Sequence, residues 1–156
     1  MRVEEADWRD WRTLRLEALQ DTPIGFGETY AEAAVRPDEE WLVPGPRPGI
    51  RFIARAGSEL LGMAGAFRDE GERPHVFGVF IRPSARGGGV LRALLARLQE
   101  WAPGESLVLE VHEDNARARA AYLKLGFSLT GTTGPYNLDP TRLLQEMTLP
   151  ADTLLG

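Results

Sequence analysis

Three consecutive glycines form the part of the sequence best suited to holding a charged ligand. Gly87, Gly88 and Gly89 follow Arg86, and an apolar helical stretch begins at about Val90. Residues without a Cβ take positive φ and let the backbone approach a ligand closely, and the free N–H groups at a helix start favour an anion. The arrangement indicates a diphosphate site. A flexible turn between a strand and a helix is the alternative interpretation of the glycines alone.

The residues on either side of the glycines favour the diphosphate interpretation but exclude two common forms of it. The sequence lacks the Lys-Ser/Thr pair of a P-loop and the Gly-x-Gly-x-x-Gly of a dinucleotide-binding fold. Before the glycines, residues 76–81 are apolar without polar alternation, which predicts an interior strand buried on both faces and ended by Pro83. After them, one apolar helical stripe is formed by Leu91, Leu94, Leu95 and Leu98.

A second group of residues with useful chemistry lies between residues 115 and 127. Asn115 and Tyr122 are seven positions apart, so in a helix they lie on one face, two turns from each other. Gly126 is placed to end that helix in the left-handed conformation. Tyr122 is either a functional phenol or a core aromatic, and Asn115 is a ligand contact, a helix N-cap, or both at once.

The pattern along the chain predicts the elements that must position these residues. Apolar spacing and capping residues predict helices, and β-branched or alternating runs predict strands. Helices are expected at residues 7–19, 28–35, 90–102 and 115–125 with a short turn at 38–41, and strands at 2–4, 50–56, 59–68, 76–81, 107–111, 127–130 and 143–149. Loops are expected at 44–49 and 132–140.

This element order predicts the fold class. Because β-α-β crossovers flank the central strand, we expect an α/β (α+β) fold with a mixed central sheet of about six to seven strands and about four helices on its faces. Residues 1–156 are expected to form a single domain, since the chain is long enough to bury one sizeable core.

Two segments resemble a known family. Residues 83–95, PSARGGGVLRALL, resemble the acetyl-CoA loop of the GNAT (GCN5-related N-acetyltransferase) family, written Arg/Gln-x-x-Gly-x-Gly/Ala. Arg86 and Gly89 match this pattern, whereas Leu91 stands where the family has a small residue. Residues 115–127 resemble the family segment Asn-x-x-Ala-x-x-x-Tyr-x-x-x-Gly-Phe. The predicted element order is also that of the GNAT fold, so the resemblance covers nearly the whole chain.

The resemblance implies an N-acetyltransferase that takes acetyl-CoA as cosubstrate and needs no metal. Tyr122 would protonate the departing thiolate as general acid, which suits a phenol that is protonated at neutral pH. Backbone N–H groups of the central strand would polarise the thioester carbonyl. The residues expected to contact acetyl-CoA are Val79, Phe80, Ile81, Arg86, Gly87, Gly88, Gly89, Val90, Leu91, Arg92 and Asn115.

The general base and the acceptor site are less sharply defined. Glu110 is the first choice for the base, because an acidic residue within a strand beside the central one is unusual, and His75 is the second. A solvated Glu and a surface His are the alternatives. The acceptor pocket would include Glu28, Tyr30 and His75, where Glu28 is either a cation contact or simply an acidic residue at a helix start. The acceptor class stays open among polyamines, amino acids, aminated antibiotics and peptide N-termini.

Composition narrows the function further. Because the sequence has no Cys, it offers no thiol for a covalent acyl-enzyme, so the amine is expected to attack acetyl-CoA directly in a ternary complex. A net charge of −5 argues against nucleic-acid binding. Without an apolar span or signal core, we expect a cytoplasmic protein, as a monomer or homodimer, with no membrane partner. A non-catalytic acyl-CoA sensor of the same fold is the alternative function, favoured by Leu91.

Overall fold

The protein forms one seven-stranded mixed sheet with five α-helices in the computed structural model, which describes residues 1–43 and 47–156. The elements are β1 (Arg2–Glu5), α1 (Trp8–Asp21), α2 (Tyr30–Ala34), α3 (Asp38–Leu42), β2 (Gly49–Ala56), β3 (Glu59–Arg68), β4 (Pro74–Ile81), α4 (Val90–Trp101), β5 (Leu107–His112), α5 (Ala116–Leu125), β6 (Ser128–Tyr136) and β7 (Asp139–Leu149). The strand order is β1-β2-β3-β4-β5-β7-β6. The predicted fold class is confirmed. Residues 44–46 of the predicted 44–49 loop lie outside the described residues.

The sheet is buried on both faces by different helices. Neighbouring residues of β2 and β3 point to opposite faces, and they divide the core into two clusters. On one face, α4 buries Leu94, Leu95 and Leu98 completely, as the predicted apolar stripe requires. On the other face, α1 buries Trp11 and Leu14. Both faces are therefore fixed by apolar packing, which makes the sheet a rigid frame.

The strands β4 and β5 make a short parallel junction at the centre of the sheet. Only His75 and Val108 are paired across it, whereas every neighbouring strand pair is antiparallel and longer. Beyond this pair the two strands diverge. The partial exposure of residues 77–79 follows from this opening, so the expectation that the central strand is buried on both faces was wrong in its middle section.

A β-bulge interrupts β4 on its other edge. Gly65 is paired with Phe77 and Met63 with Phe80, so two residues of β4, Gly78 and Val79, oppose the single residue between their partners on β3. Gly78 has φ of 65°, and a Cβ added there would meet the Trp11 ring at 2.8 Å. Only glycine meets both demands at this position.

The chain end differs most from the sequence prediction. The expected loop at 132–140 was wrong, because β6 continues to Tyr136 and β7 begins at Asp139, leaving a two-residue turn. The strand β6 is the edge of the sheet and mostly exposed, so it carries no apolar alternation and tolerates Pro135. A register shift between Leu129 and Thr133 surrounds Gly131, whose φ is 89°.

The second helix is also shorter than expected. It begins at Tyr30 rather than at Glu28, because Thr29 caps it and Glu32 completes a capping box with Thr29. Glu28 therefore precedes the helix. None of the helices in the described part of the chain combines the length and hydropathy of a membrane span.

Candidate active site

A cleft of about 790 Å³ opens where β4 and β5 diverge. It is lined by both segments that the sequence singled out, the glycine loop before α4 and the inner face of α5. The predicted site residues that line it are His75, Val79, Phe80, Ile81, Arg86, Gly87, Gly89, Val90, Leu91, Arg92, Glu110, Asn115 and Tyr122. Gly88, Glu28 and Tyr30 do not line it. The fold thus joins residues that are 47 positions apart in sequence, from His75 to Tyr122.

The glycine loop presents bare backbone to the cleft. Gly87 and Gly89 have φ of 81° and 85°, and Gly89 is the N-cap of α4. A Cβ added at either position would find no atom within 4 Å, so the space beside them is open. Leu91, in the first turn of α4, is partly buried against the α4 side of the core. Free N–H groups and open space at the start of a twelve-residue helix are the features of an anion site.

Arg86 is held at the mouth of the cleft by two contacts. Its Nε donates to the Ile81 carbonyl at 3.1 Å, and its Nη2 lies 2.8 Å from Asp21 Oδ2. Arg117 of α5 donates to Thr22 Oγ1 at 3.0 Å and lies 3.9 Å from the same Asp21 oxygen. The Thr22 hydroxyl and then the two guanidinium groups lower the pKa of Asp21. We define Asp21, Arg86 and Arg117 as the mouth cluster.

Tyr122 lies in a buried part of the cleft wall. Its ring packs against Phe127 with centroids 5.4 Å apart, and 8% of the residue is exposed. Burial raises the pKa of the Tyr122 phenol, an effect that Arg117 opposes in part. The phenol is therefore fully protonated at neutral pH.

Asn115 serves as the N-cap of α5 and also lines the cleft. Its Oδ1 accepts a hydrogen bond from the Ala118 N–H at 3.3 Å. The predicted N-cap is confirmed, and the ligand contact stays a prediction. Gly126 ends α5 with φ of 112°, as predicted.

The two predicted base residues are neighbours. His75 Nε2 lies 3.5 Å from Glu110 Oε1, and His75 Nδ1 lies 3.5 Å from Asp69 Oδ2. The imidazole also stacks on Phe67, with ring centroids 5.1 Å apart. Asp69 is fixed by the N–H groups of Gly71 and Arg73, each at 2.9 Å. We call Asp69, His75 and Glu110 the acid–histidine array.

The members of the array differ in exposure. Glu110, with a side chain 41% exposed, is reached by solvent and the cleft, whereas His75 and Asp69 are each 14% exposed. Glu110 is therefore the most exposed member of the array. Asp69 was not singled out from the sequence, where it lies in a polar turn, since nothing in that turn indicates the direction of its side chain.

Glu28 occupies a different environment from the one expected. Its carboxylate is shared by Arg15, at 2.9 Å, and by Arg36, and it does not reach the cleft wall. Tyr30 is 40% exposed and also lies outside the wall. Of this group it is Arg15 that lines the cleft. The expected acceptor contacts at Glu28 and Tyr30 are thus not supported by their positions.

Four further aromatic residues line the cleft wall. They are Phe26, Phe67, Phe77 and Tyr136. The Tyr136 hydroxyl donates to the Phe26 carbonyl at 2.6 Å, which ties β6 to the segment after α1, and burial raises the pKa of Tyr136. Sequence reasoning missed Phe26 and Tyr136, because they come together across 110 residues.

The fold, the glycine loop and the buried phenol define the class of protein. The model of the acetyltransferase (GNAT) family matches residues 3–127. The chain belongs to this family, and the resemblance of its two segments is confirmed.

Individual relatives agree with this assignment. An IAA acetyltransferase of Azospirillum brasilense is 37% identical over 108 residues, which cover 66% of this chain and 71% of that protein. Two further acetyltransferase relatives, 31% and 36% identical, are covered over only 42% and 55% of their own length.

Solved structures agree in fold. A ribosomal-protein-alanine N-acetyltransferase from Brucella melitensis superposes with a TM-score of 0.74 at 22% identity, covering 96% of this chain and 99% of that one. An acetyltransferase of Salmonella typhimurium, solved with acetyl-CoA, has a TM-score of 0.67 at 20% identity, over 97% and 94% of the two chains. In residues 1–43 and 47–156, no three His, Asp or Glu side chains are grouped so that they would hold a metal ion.

Proposed function

We propose that this protein transfers the acetyl group of acetyl-CoA to a primary amine, by direct attack of the amine in a ternary complex. Acetyl-CoA is the donor of the family, and when bound it supplies the thioester whose acetyl group moves. The sequence contains no Cys, so no thiol of the protein is available to accept that group first.

The described residues fit this donor at its charged end. Gly87 and Gly89 leave open space beside the backbone at the start of α4, where N–H groups face an anion. Arg86 and Arg117 place two guanidinium groups beside the same opening. Phosphate groups are bound by these partners more strongly than by neutral ones, because the hydrogen bonds are charge-assisted.

The reacting end of the cleft has residues for both proton transfers. Tyr122 holds a proton at its phenol oxygen for the departing sulfur, and its burial keeps that proton in place. The acid–histidine array accepts the proton that the amine must lose, with Glu110 as the residue that faces the cleft. The bulge at Gly78 and Val79 frees backbone groups of β4 to orient the carbonyl to be attacked.

One observation carries the proposal. A protonated phenol and a carboxylate–imidazole pair line the same cleft, which also contains the open glycine loop. A binding protein has no need for an acid and a base on either side of its ligand. This pairing supports an enzyme over the acyl-CoA sensor that Leu91 alone would favour.

Calorimetry followed by an activity screen tests the proposal. Acetyl-CoA and CoA are expected to bind, and release of free CoA thiol is expected with at least one class in a panel of amino acids, polyamines, aminoglycosides and peptides. Absence of binding would refute the acetyl-CoA site. Binding without transfer to any amine would instead support the sensor.

A further inference from the structure

Arg15 is the cationic group at the reacting end of the cleft. Its guanidinium lies over the Phe26 ring, 4.6 Å from the centroid to Cζ. Its Nη1 would lie 3.7 Å from a Cβ built on Gly78, so it reaches the β4 bulge itself. The side chain is 16% exposed and lines the cleft wall. Arg15 therefore faces the place where the amine is proposed to react.

The charge of Arg15 is only partly neutralised. Its Nε donates to Glu28 Oε1 at 2.9 Å, and the other oxygen of Glu28 is taken by Arg36. Two guanidinium groups thus share one carboxylate, which leaves a net charge of about +1 on the trio at neutral pH. Within the part of the chain that the structure describes, neither Nη group of Arg15 donates a hydrogen bond to the protein.

Burial makes this remaining charge costly. It lowers the pKa of the Arg15 guanidinium, an effect that Glu28 opposes and Arg36 increases. A carboxylate that accepts hydrogen bonds from the two Nη groups would offset the cost, because the planar fork of Arg matches carboxylate geometry. An additional cation beside Arg15 would raise the cost further.

The rest of the wall argues against a polycationic acceptor. Among the described residues that line the cleft, Glu110 is the only carboxylate. A polyamine would bring two or more positive charges to this one acid and would meet Arg15 as well. The Phe26 ring lies against Arg15, and the rings of Phe77 and Tyr136 line the same cleft; these rings favour an apolar group.

We infer that the acceptor is a free amino acid with an apolar or aromatic side chain, whose carboxylate binds Arg15. The inference rests on the proposed function and adds its substrate class. One carbon separates the amine from the carboxylate in an α-amino acid, so a carboxylate on Arg15 holds the amine beside the β4 bulge. The acid–histidine array lies about 10 Å along β4, three residues at about 3.3 Å each, and the proton passes to it through water.

Steady-state kinetics with matched acceptors tests the inference. Phenylalanine is compared with phenylalaninamide, phenethylamine and spermidine, using the pH-independent limit of kcat/KM because the amines differ in basicity. Phenylalanine is expected to exceed phenylalaninamide by about 10- to 100-fold, as for loss of a charge-assisted pair. Equal rates, or a preference for spermidine, would overturn the inference while leaving the acetyltransferase proposal standing.

Two variants identify the residue responsible. Arg15→Met keeps the length of the stem and removes the charge, and the ratio of phenylalanine to phenylalaninamide is expected to fall to near one. Arg55→Met is the matched control, since it removes an ion-paired guanidinium that does not line the cleft, and the ratio should persist. If Arg15→Met keeps the wild-type ratio, the carboxylate is not bound by Arg15.

Calorimetry separates binding from turnover. Phenylalanine is titrated into the wild-type protein and into Arg15→Met, each saturated with CoA and checked for folding by circular dichroism. Binding that depends on Arg15 without any acetyl transfer would support the carboxylate site and refute the proposed enzyme activity. Equal phenylalanine affinity in both proteins would refute the carboxylate site.

Discussion

Tyr122 and Glu110 line the same cleft but have opposite environments. Tyr122 is buried, with 8% of the residue exposed, so its neutral form is favoured. The Glu110 side chain is 41% exposed and keeps access to solvent. Burial therefore keeps the phenol of Tyr122 in the protonated form that a general acid needs before transfer, whereas exposure lets Glu110 exchange protons with solvent.

Replacement of Tyr122 by Phe tests the acid role. The variant is expected to lower kcat by about 100-fold or more, the usual contribution of a general acid, while the Kd for CoA changes little because the ring remains. Steady-state turnover assays measure kcat, and calorimetry measures the Kd for CoA. Tyr30→Phe, at an exposed position outside the cleft, is the control. A variant that keeps the wild-type kcat would remove Tyr122 from the chemistry.

The pH dependence of Tyr122 has a definite sign. Because burial raises its pKa in the folded protein above the ordinary value of about 10, its contribution to stability is fully present below that pH. The contribution is lost as pH rises through the folded-state pKa. The kcat should accordingly show no fall between pH 7 and pH 10 from ionisation of this phenol, as a pH–rate profile would reveal.

Glu110 and His75 are expected to act as one unit. Their side-chain atoms are 3.5 Å apart, so removing either one breaks the same proton path. Glu110→Gln and His75→Asn should each lower kcat/KM by about 100-fold. The kcat/KM of the double variant should be no more than about threefold below that of the less active single variant. Glu105→Gln is the control, because Glu105 pairs with Arg68 and does not line the cleft. Fully multiplicative losses would mean that the two residues act separately.

The spacing of residues within one helix or loop explains which site residues the sequence predicts. Asn115 and Tyr122 share a face of α5, and Gly87 and Gly89 belong to one turn, so local geometry alone brings each pair to the cleft. Asp21 reaches Arg86 across 65 positions and Tyr136 reaches Phe26 across 110, both through tertiary packing. No periodicity in a single sequence encodes such contacts.

At the scale of elements, the β4 bulge determines how the reacting end of the cleft is built. It changes the direction of the Gly78 and Val79 backbone, and Trp11 of α1 packs against it from one face. The apolar character of β4 is clear in the sequence, but its bulge is not, since the single glycine within the strand also fits a regular strand. The second half of β6, residues 132–136, was missed for a related reason: an exposed edge strand needs no apolar alternation.

Gly78→Ala is expected to disrupt this element. The added Cβ would be 2.8 Å from the Trp11 ring. The alanine would also have to adopt the φ of 65° that Gly78 has. Together these should destabilise the fold by about 2–4 kcal/mol, of which about 1–2 kcal/mol comes from φ. Gly57→Ala, with φ of 60° and no atom within 4 Å of its Cβ, isolates the backbone contribution. Urea unfolding should give a free energy of unfolding for Gly78→Ala well below that of Gly57→Ala. Equal losses of stability in the two variants would show that Trp11 moves away freely.

At the scale of the whole molecule, the cleft separates two parts of the sheet that share little backbone pairing. The strands β1 to β4 and β5 to β7 meet only at the pair of His75 and Val108. On the open side, the mouth cluster links the end of α1 to the loop after β4 and to α5. The fold class was predictable because it depends on element order, whereas this cross-link depends on where three separate elements end.

Asp21→Asn tests whether the mouth cluster competes with the donor. The Asp21 carboxylate occupies Arg86 and repels the phosphates of CoA, so its loss should free the guanidinium groups and lower the Kd for CoA by about 3- to 10-fold. An exposed ion pair contributes only about 0.2–1 kcal/mol to folding, so the thermal midpoint of the free protein should fall by no more than about 4 °C. The rise in that midpoint on adding CoA should be larger in the variant than in the wild type.

The charge change itself needs a control at a distance. Glu105→Gln alters the net charge equally and breaks an ion pair with Arg68, whose residues do not line the cleft. Its Kd for CoA should stay within about twofold of the wild type, because charges beyond the Debye length of about 10 Å are screened at 0.1 M salt. The gain in Asp21→Asn should shrink as salt is raised. Weaker CoA binding by Asp21→Asn would instead mean that Asp21 holds Arg86 in its binding position, because removing a competitor cannot lower affinity.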